Sequence, residues 1–179
     1  MVDDTGDRPT PFGGRAAAYT MLMTLFRRFL VFQTFLVWQG GFLFYSAVVV
    51  PIGTDVLGSP ALQGQITQRV TVWLNLFGAA WAGVYAWDLL AGRGGRGRWL
   101  AWAAAAGLLP VLWVLHGQMG VLFDSDAGRV TDRAAFRRLH VAYLWASTAH
   151  WVLGLGLAWL TLRAWRAEDQ ARVGAVAGT

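Results

Sequence analysis

Three histidines, His116, His140 and His150, are the residues of this chain best suited to hold a cofactor. Neutral imidazole ligates transition metals and haem iron, and histidines on facing helices are how helical bundles hold haem. His140, Tyr143, Ser147 and His150 follow one another at spacings of 3, 4 and 3. At about 100° per residue they share a sector of about 80° on one helix face. Gly154 and Thr161 continue the stripe. Read for chemistry, the stripe lines a cavity with imidazoles, and His116 on the preceding apolar segment faces it as a further haem or metal ligand. Read for packing, the same residues are interhelical hydrogen bonds and a close backbone approach, and this reading is favoured.

Other chemistries are excluded by residue type. The chain has no Cys, so disulfides, thiolate metal sites and thiol catalysis are absent. All 15 Lys+Arg positions are Arg, which removes Schiff-base chemistry. No phosphate-binding glycine loop, nucleophile elbow or H-E-x-x-H is present, so no catalytic residue is assigned. The net charge of +5 reports membrane orientation rather than nucleic-acid binding.

The elements that must position these residues are long and apolar. Hydrophobic residues make up 56% of the 179-residue chain, mean hydropathy is +0.43 and only 14% is charged. Four apolar stretches, 29–57, 71–91, 99–121 and 139–162, each suffice to cross a bilayer, for which about 20 residues are enough. In lipid such segments must be helical, because every backbone group needs an internal partner. The expected fold is all-α, a four-helix integral membrane bundle over 29–165, with a disordered segment at 1–14 and a cytoplasmic tail at 166–179. Between them, residues 15–28 carry an apolar stripe at Tyr19, Leu22, Met23 and Phe26. They form either an amphipathic helix on the inner leaflet or an extension of the first span.

Arginines orient the bundle. Arg15, Arg27 and Arg28, then Arg93, Arg96 and Arg98, then Arg163, Arg166 and Arg172 belong to three segments on one side, placed in the cytoplasm together with both termini. The loop between the third and fourth spans mixes Asp124, Asp126 and Asp132 with four arginines, and Thr131 is the expected cap of a helix starting at Asp132. Within the spans, Trp38, Gly40, Gly41 and Asn75 read as helix-packing residues alongside Tyr143, Ser147 and Gly154. Pro51 is expected to kink the outer end of the first span. Gln33 and Gln39 bond across helices, whereas Asp55 and Asp88 lie near span ends and are expected to reach water. Of the 11 Trp, Trp73, Trp87, Trp99 and Trp165 are expected at the interfaces and Trp38, Trp81, Trp113, Trp145, Trp151 and Trp159 deeper.

Trp38-x-Gly40-Gly41-x-x-Phe44, then Val50-Pro51, and later Phe136-x-x-Leu139-His140 resemble a family of small bacterial four-helix membrane proteins without an assigned function. That family is grouped with the copper-resistance D (CopD-like) superfamily, and the resemblance spans residues 36–162. It implies an inner-membrane bundle with His140 on a matched position. It further implies copper handling for CopD-like relatives and, for the more distant protoporphyrinogen oxidase, a bundle that binds haem b. The chain departs from a copper protein in having no Cys and no Met-rich run, its Met being Met1, Met21, Met23 and Met119.

Three functions follow in order. The first is a structural or accessory subunit of a membrane complex, held by lipid and by other membrane subunits or self-association. The second is a haem- or metal-binding redox or carrier protein using His140 with His116 or His150. The third is a small oligomeric transporter.

Overall fold

The computed structural model describes residues 11–92, 95–124 and 129–177. It is almost entirely helical. Helix α1 runs Pro11–Phe44 and continues through a π-helical stretch, Tyr45–Val49, into α2, Val50–Leu57. Helix α3 is Pro60–Ala91, α4 is Arg96–Val121 and α5 is Arg133–Ala177. Between α4 and α5 two short antiparallel strands, β1 (Phe123–Asp124) and β2 (Arg129–Val130), form a minimal hairpin.

Local chemistry sets the breaks. Gly58 closes α2 in the left-handed region at φ 57°, where a side chain would be strained. Ser59 then accepts from Leu62 N–H as the cap of α3, with proline in its first turn. At the start of α5 the expected cap is corrected by one residue. Asp132 Oδ1 accepts from the N–H groups of Ala134 and Ala135, both at 2.9 Å. Thr131 instead donates its hydroxyl to Leu122 O at 3.1 Å, closing the hairpin base. Pro51 sits directly after the π-helical stretch, where Val50 N–H reaches back five residues to Tyr45 O. The wider turn accommodates the place where the proline has no N–H to give.

Three helices are long and apolar enough to cross a membrane: Ala18–Leu57, Arg96–Val121 and Arg133–Ala175. Helix α3 is 32 residues long, but Gln63, Gln65, Gln68, Arg69, Asn75 and Asp88 dilute its apolar run. The helices outrun the apolar stretches that announced them. Residues 15–28 are continuous with the first span, and the helix begins at Pro11, inside the segment expected to be disordered; residues 1–10 of that segment lie outside the described residues.

Cross-helix contacts give the register. Tyr45 meets Thr67 and Arg27 meets Asp88, so α1 and α3 are antiparallel. Thr71 meets His116 and Asp88 meets Arg98, so α3 and α4 are antiparallel. Helix α5 packs along α4, runs parallel to α3, and meets α1 mainly through side chains. The core is centred on Trp38, Trp81, Tyr85, Leu89, Ala105, Leu109 and Leu157. Trp38 and Trp81 are buried there, whereas Trp113, Trp145 and Trp159 are exposed on the outside of the bundle.

Candidate functional site: three polar layers across the helices

Among the described residues, most of the buried polar side chains lie in three layers, Thr24, Gln63 and Thr161 falling outside them. The first lies at the end of the bundle where α1 and α4 begin their passage and α3 and α5 finish theirs. Its centre is Asp88, 1% exposed. Arg27 Nε on α1 donates to Asp88 Oδ1 at 2.8 Å, and Arg98 Nη2 on α4 donates to Oδ2 at 2.5 Å. Trp165 Nε1 on α5 donates to the same Oδ2 at 3.3 Å. One carboxylate on α3 thus accepts from each of the other three long helices. Arg98 is itself 4% exposed and lies 5.5 Å from the centroid of the Tyr85 ring, whose π-face offsets part of its charge. The Tyr85 hydroxyl donates a hydrogen bond to Leu157 O at 3.1 Å.

Asp88 therefore does not reach water, contrary to its reading as a span-end residue. Its carboxylate is turned inward because desolvating an Arg costs several kcal/mol unless a counter-charge and hydrogen bonds accompany it, and Asp88 supplies both to Arg27 and Arg98. Beside this triad, Arg28 Nη1 donates to both oxygens of Asp169 at 2.9 Å and Nη2 to Glu168 at 3.1 Å. Its guanidinium lies 5.2 Å from the Trp165 ring centroid.

The second layer is mid-bundle and contains His150, 2% exposed. Trp38 and Trp81 stack at 4.5 Å, and the His150 ring lies 4.5 Å from Trp38 and 6.1 Å from Trp81. Two glycines make this closeness feasible. A Cβ on Gly78 would come within 3.1 Å of Trp38 Nε1 and 3.3 Å of His150 Cε1. One on Gly154 would lie 2.6 Å from Gln39 Nε2 and 2.7 Å from the Trp38 ring. Gln39 Nε2 donates to Trp151 O at 2.9 Å, tying α1 to α5. His150 Nε2, Gln39 Oε1, Asn75 Nδ2 and Trp81 Nε1 are buried without a hydrogen-bond partner among the described residues.

The third layer lies toward the opposite end. Tyr143 donates to Asn75 Oδ1 at 3.2 Å, Ser147 donates back to Tyr143 O at 2.7 Å, and His116 Nδ1 lies 3.3 Å from Thr71 Oγ1. The His116 ring is 6.5 Å from that of Tyr143.

The three histidines thus have three different surroundings. His150 is enclosed by indole rings, His116 touches Thr71 and Tyr143, and His140 is exposed and stacked on Phe136 at 6.1 Å. His140 and His150 share α5 and are ten residues, about 15 Å, apart along its axis. Among the described residues no three of His, Cys, Asp and Glu gather as a metal-binding set. A haem or copper ion on His150 would need space and a second donor beside a ring that has Trp38 at 4.5 Å, Trp81 at 6.1 Å and Gly78 close to its Cε1. The surroundings of His150 do not fit either group. Of the residues read as helix packing, Trp38, Gly41, Asn75, Tyr143 and Gly154 lie against a neighbouring helix, whereas Ser147 bonds back to its own helix at Tyr143 O and Leu144 O. A Cβ on Gly40 would meet nothing within 4 Å, so that glycine lies open rather than at a helix contact.

The residues the sequence reading missed are Asp88, Arg27, Arg98 and Trp165. The signal was available: a carboxylate inside an apolar stretch at the arginine-rich end of the bundle, ten residues before Arg98 across a short turn. Comparison of the chain with family models, curated proteins and solved structures finds no match in any of the three.

Proposed function

We propose that the chain is a four-span protein of the inner membrane, with both termini in the cytoplasm, and that it serves as a structural or accessory subunit of a membrane complex. The observation that carries this reading is the use made of its buried polar groups. Asp88, Arg27, Arg98, Gln39, Asn75, Tyr85 and Tyr143 all bond one helix to another. None is paired as nucleophile and base. Polar side chains that in an enzyme or carrier would face a substrate are here taken up in joining helices.

Register supports a fourth span. Helix α3 is joined to α1 at Tyr45–Thr67 and at Arg27–Asp88, so if α1 crosses, α3 accompanies it. The CopD-like resemblance agrees with such a bundle, while among the described residues no three of His, Asp and Glu gather as its copper implication would require, and His116, His140 and His150 have separate surroundings. Orientation rests on the arginines that cluster at the Asp88 end.

The test is purification from membranes in mild detergent after cross-linking in place. The expected result is a particle larger than the 19.6 kDa chain that contains a stoichiometric second membrane polypeptide, or further copies, and shows a featureless visible spectrum. A monodisperse monomer, or a Soret band or stoichiometric copper lost in His150→Ala, would overturn the reading.

A further inference from the structure

Helix α1 buries one face against the bundle, at Val31, Trp38 and Tyr45. Its opposite face is an exposed seam that advances by three and four residues in strict alternation. Tyr19, Leu22, Phe26 and Phe29 form the first half, and Leu36, Gly40 and Leu43 the second. Between the halves, on the same spacing, stands Gln33. A seam that repeats every seven residues is the pattern by which helices supercoil around one another.

Two observations indicate that lipid alone does not cover this seam. Gln33 is exposed and has no hydrogen-bond partner among the described residues. It lies six residues past Arg27, about 9 Å of helix, against about 15 Å for half a bilayer core. With the Asp88 layer at the inner boundary, its amide faces hydrocarbon, where an unbonded amide is costly. In the other direction, Leu22 and Tyr19 lie five and eight residues before Arg27, beyond the acyl chains. They are nevertheless 64% and 74% exposed.

The chemistry of the seam selects its occupant. An amide offers both donor and acceptor, so two glutamines at one depth satisfy each other. Two copies inserted with the same orientation are parallel, which places each Gln33 at the depth of the other. Parallel pairing also brings like charges level. Between residues 16 and 44 the only charged residues are Arg27 and Arg28, and both are turned to carboxylates on other helices of their own copy. Two turns past Gln33, a Cβ on Gly40 would meet nothing within 4 Å, so two backbones can close there.

We infer that the chain forms a parallel two-fold homodimer through α1, with the Gln33 amides of the two copies bonded reciprocally and Gly40 facing Gly40. The inference rests on the membrane-subunit reading and names its partner as a second copy of this chain.

Because the chain has no Cys, single thiols in the full chain report the seam in native membranes. Under copper–phenanthroline oxidation, Leu36→Cys, Gly40→Cys and Leu43→Cys are expected to give a disulfide-linked dimer. Leu100→Cys on α4 and Val152→Cys on α5, equally outward-facing, are expected to stay monomeric. In detergent, Gln33→Leu is expected to weaken association about tenfold, the scale of two interhelical hydrogen bonds. Gln33→Asn, which keeps donor and acceptor, is expected to retain it, and Gly40→Ile to weaken it by holding the backbones apart. Circular dichroism establishes that the variants fold.

Unchanged association in Gln33→Leu and Gly40→Ile would overturn the inference, as would disulfide yields at Leu100 or Val152 equal to those on α1. Benzophenone attached at Gly40→Cys separates this failure from that of the wider reading. An adduct with a different polypeptide overturns the homodimer and leaves the subunit reading standing. A chain that stays monomeric at every position overturns both.

Discussion

Asp88 carries more of the tertiary structure than any other side chain described. Its two oxygens accept from Arg27, Arg98 and Trp165, so a single substitution touches all four long helices. Asp88→Asn preserves shape but leaves two buried guanidinium groups without counter-charge. Removing one partner of a buried ion pair costs about 3–5 kcal/mol, and that loss is expected in reversible unfolding of the detergent-solubilised protein. A loss below about 1 kcal/mol, the range of an exposed pair, would show that the carboxylate does not clamp the helices. By contrast, the Tyr143–Asn75 and Gln39–Trp151 bonds belong to a class worth about 0.6 kcal/mol each within membranes. The tryptophans behave differently again: Trp38 and Trp81 stack in the core because Gly78 and Gly154 give them room.

At the scale of elements, the helices are longer than their apolar stretches. Helix α5 has 45 residues, about 65 Å, twice the thickness of a bilayer core of about 30 Å. Its last turns lie beyond the Asp88 layer and are held to α1 by Arg28 through Glu168 and Asp169. Truncation after Ala167 removes both carboxylates. Because the Arg28–Asp169 pair is partly open to solvent, the expected loss is about 1 kcal/mol or less, well below that of Asp88→Asn in the same unfolding measurement. A loss equal to that of Asp88→Asn would make the tail part of the core. The other end of the bundle is shaped by backbone chemistry. The π-helical stretch precedes Pro51, Gly58 ends α2, and Asp132 rather than Thr131 caps α5.

At the scale of the whole molecule, the absence of cysteine makes topology measurable with single introduced thiols. Gly95→Cys and Arg129→Cys lie at opposite ends of α4. With the proposed orientation, a membrane-impermeant maleimide applied to intact cells is expected to label the second and to spare the first. Labelling of both or neither would exclude a span between them, and the reverse pattern would invert the orientation.

The helices, and among the described residues three of them long and apolar enough to cross a membrane, were legible in the residues because both depend on local quantities: the length of an apolar run, the intrinsic partnering of helix backbone, and proline and glycine at the breaks. Of the stripe His140, Tyr143, Ser147, His150, Gly154 and Thr161, all but His140 are buried on one face of α5, since spacing along one helix is a property of the sequence; His140 is exposed. What the tertiary structure alone decided is which polar groups meet. Asp88 was read as a span-end residue that could reach water, because nothing local says that Arg27, 61 residues earlier, arrives at the same level. The histidines shared a helix face or faced it from the neighbouring span, yet they received separate partners, because axial rise and neighbouring bulk, rather than face alone, determine contact. A carboxylate costs little in water and much when desolvated, so its environment follows from which helices pack around it, and that is information carried only by the assembled bundle.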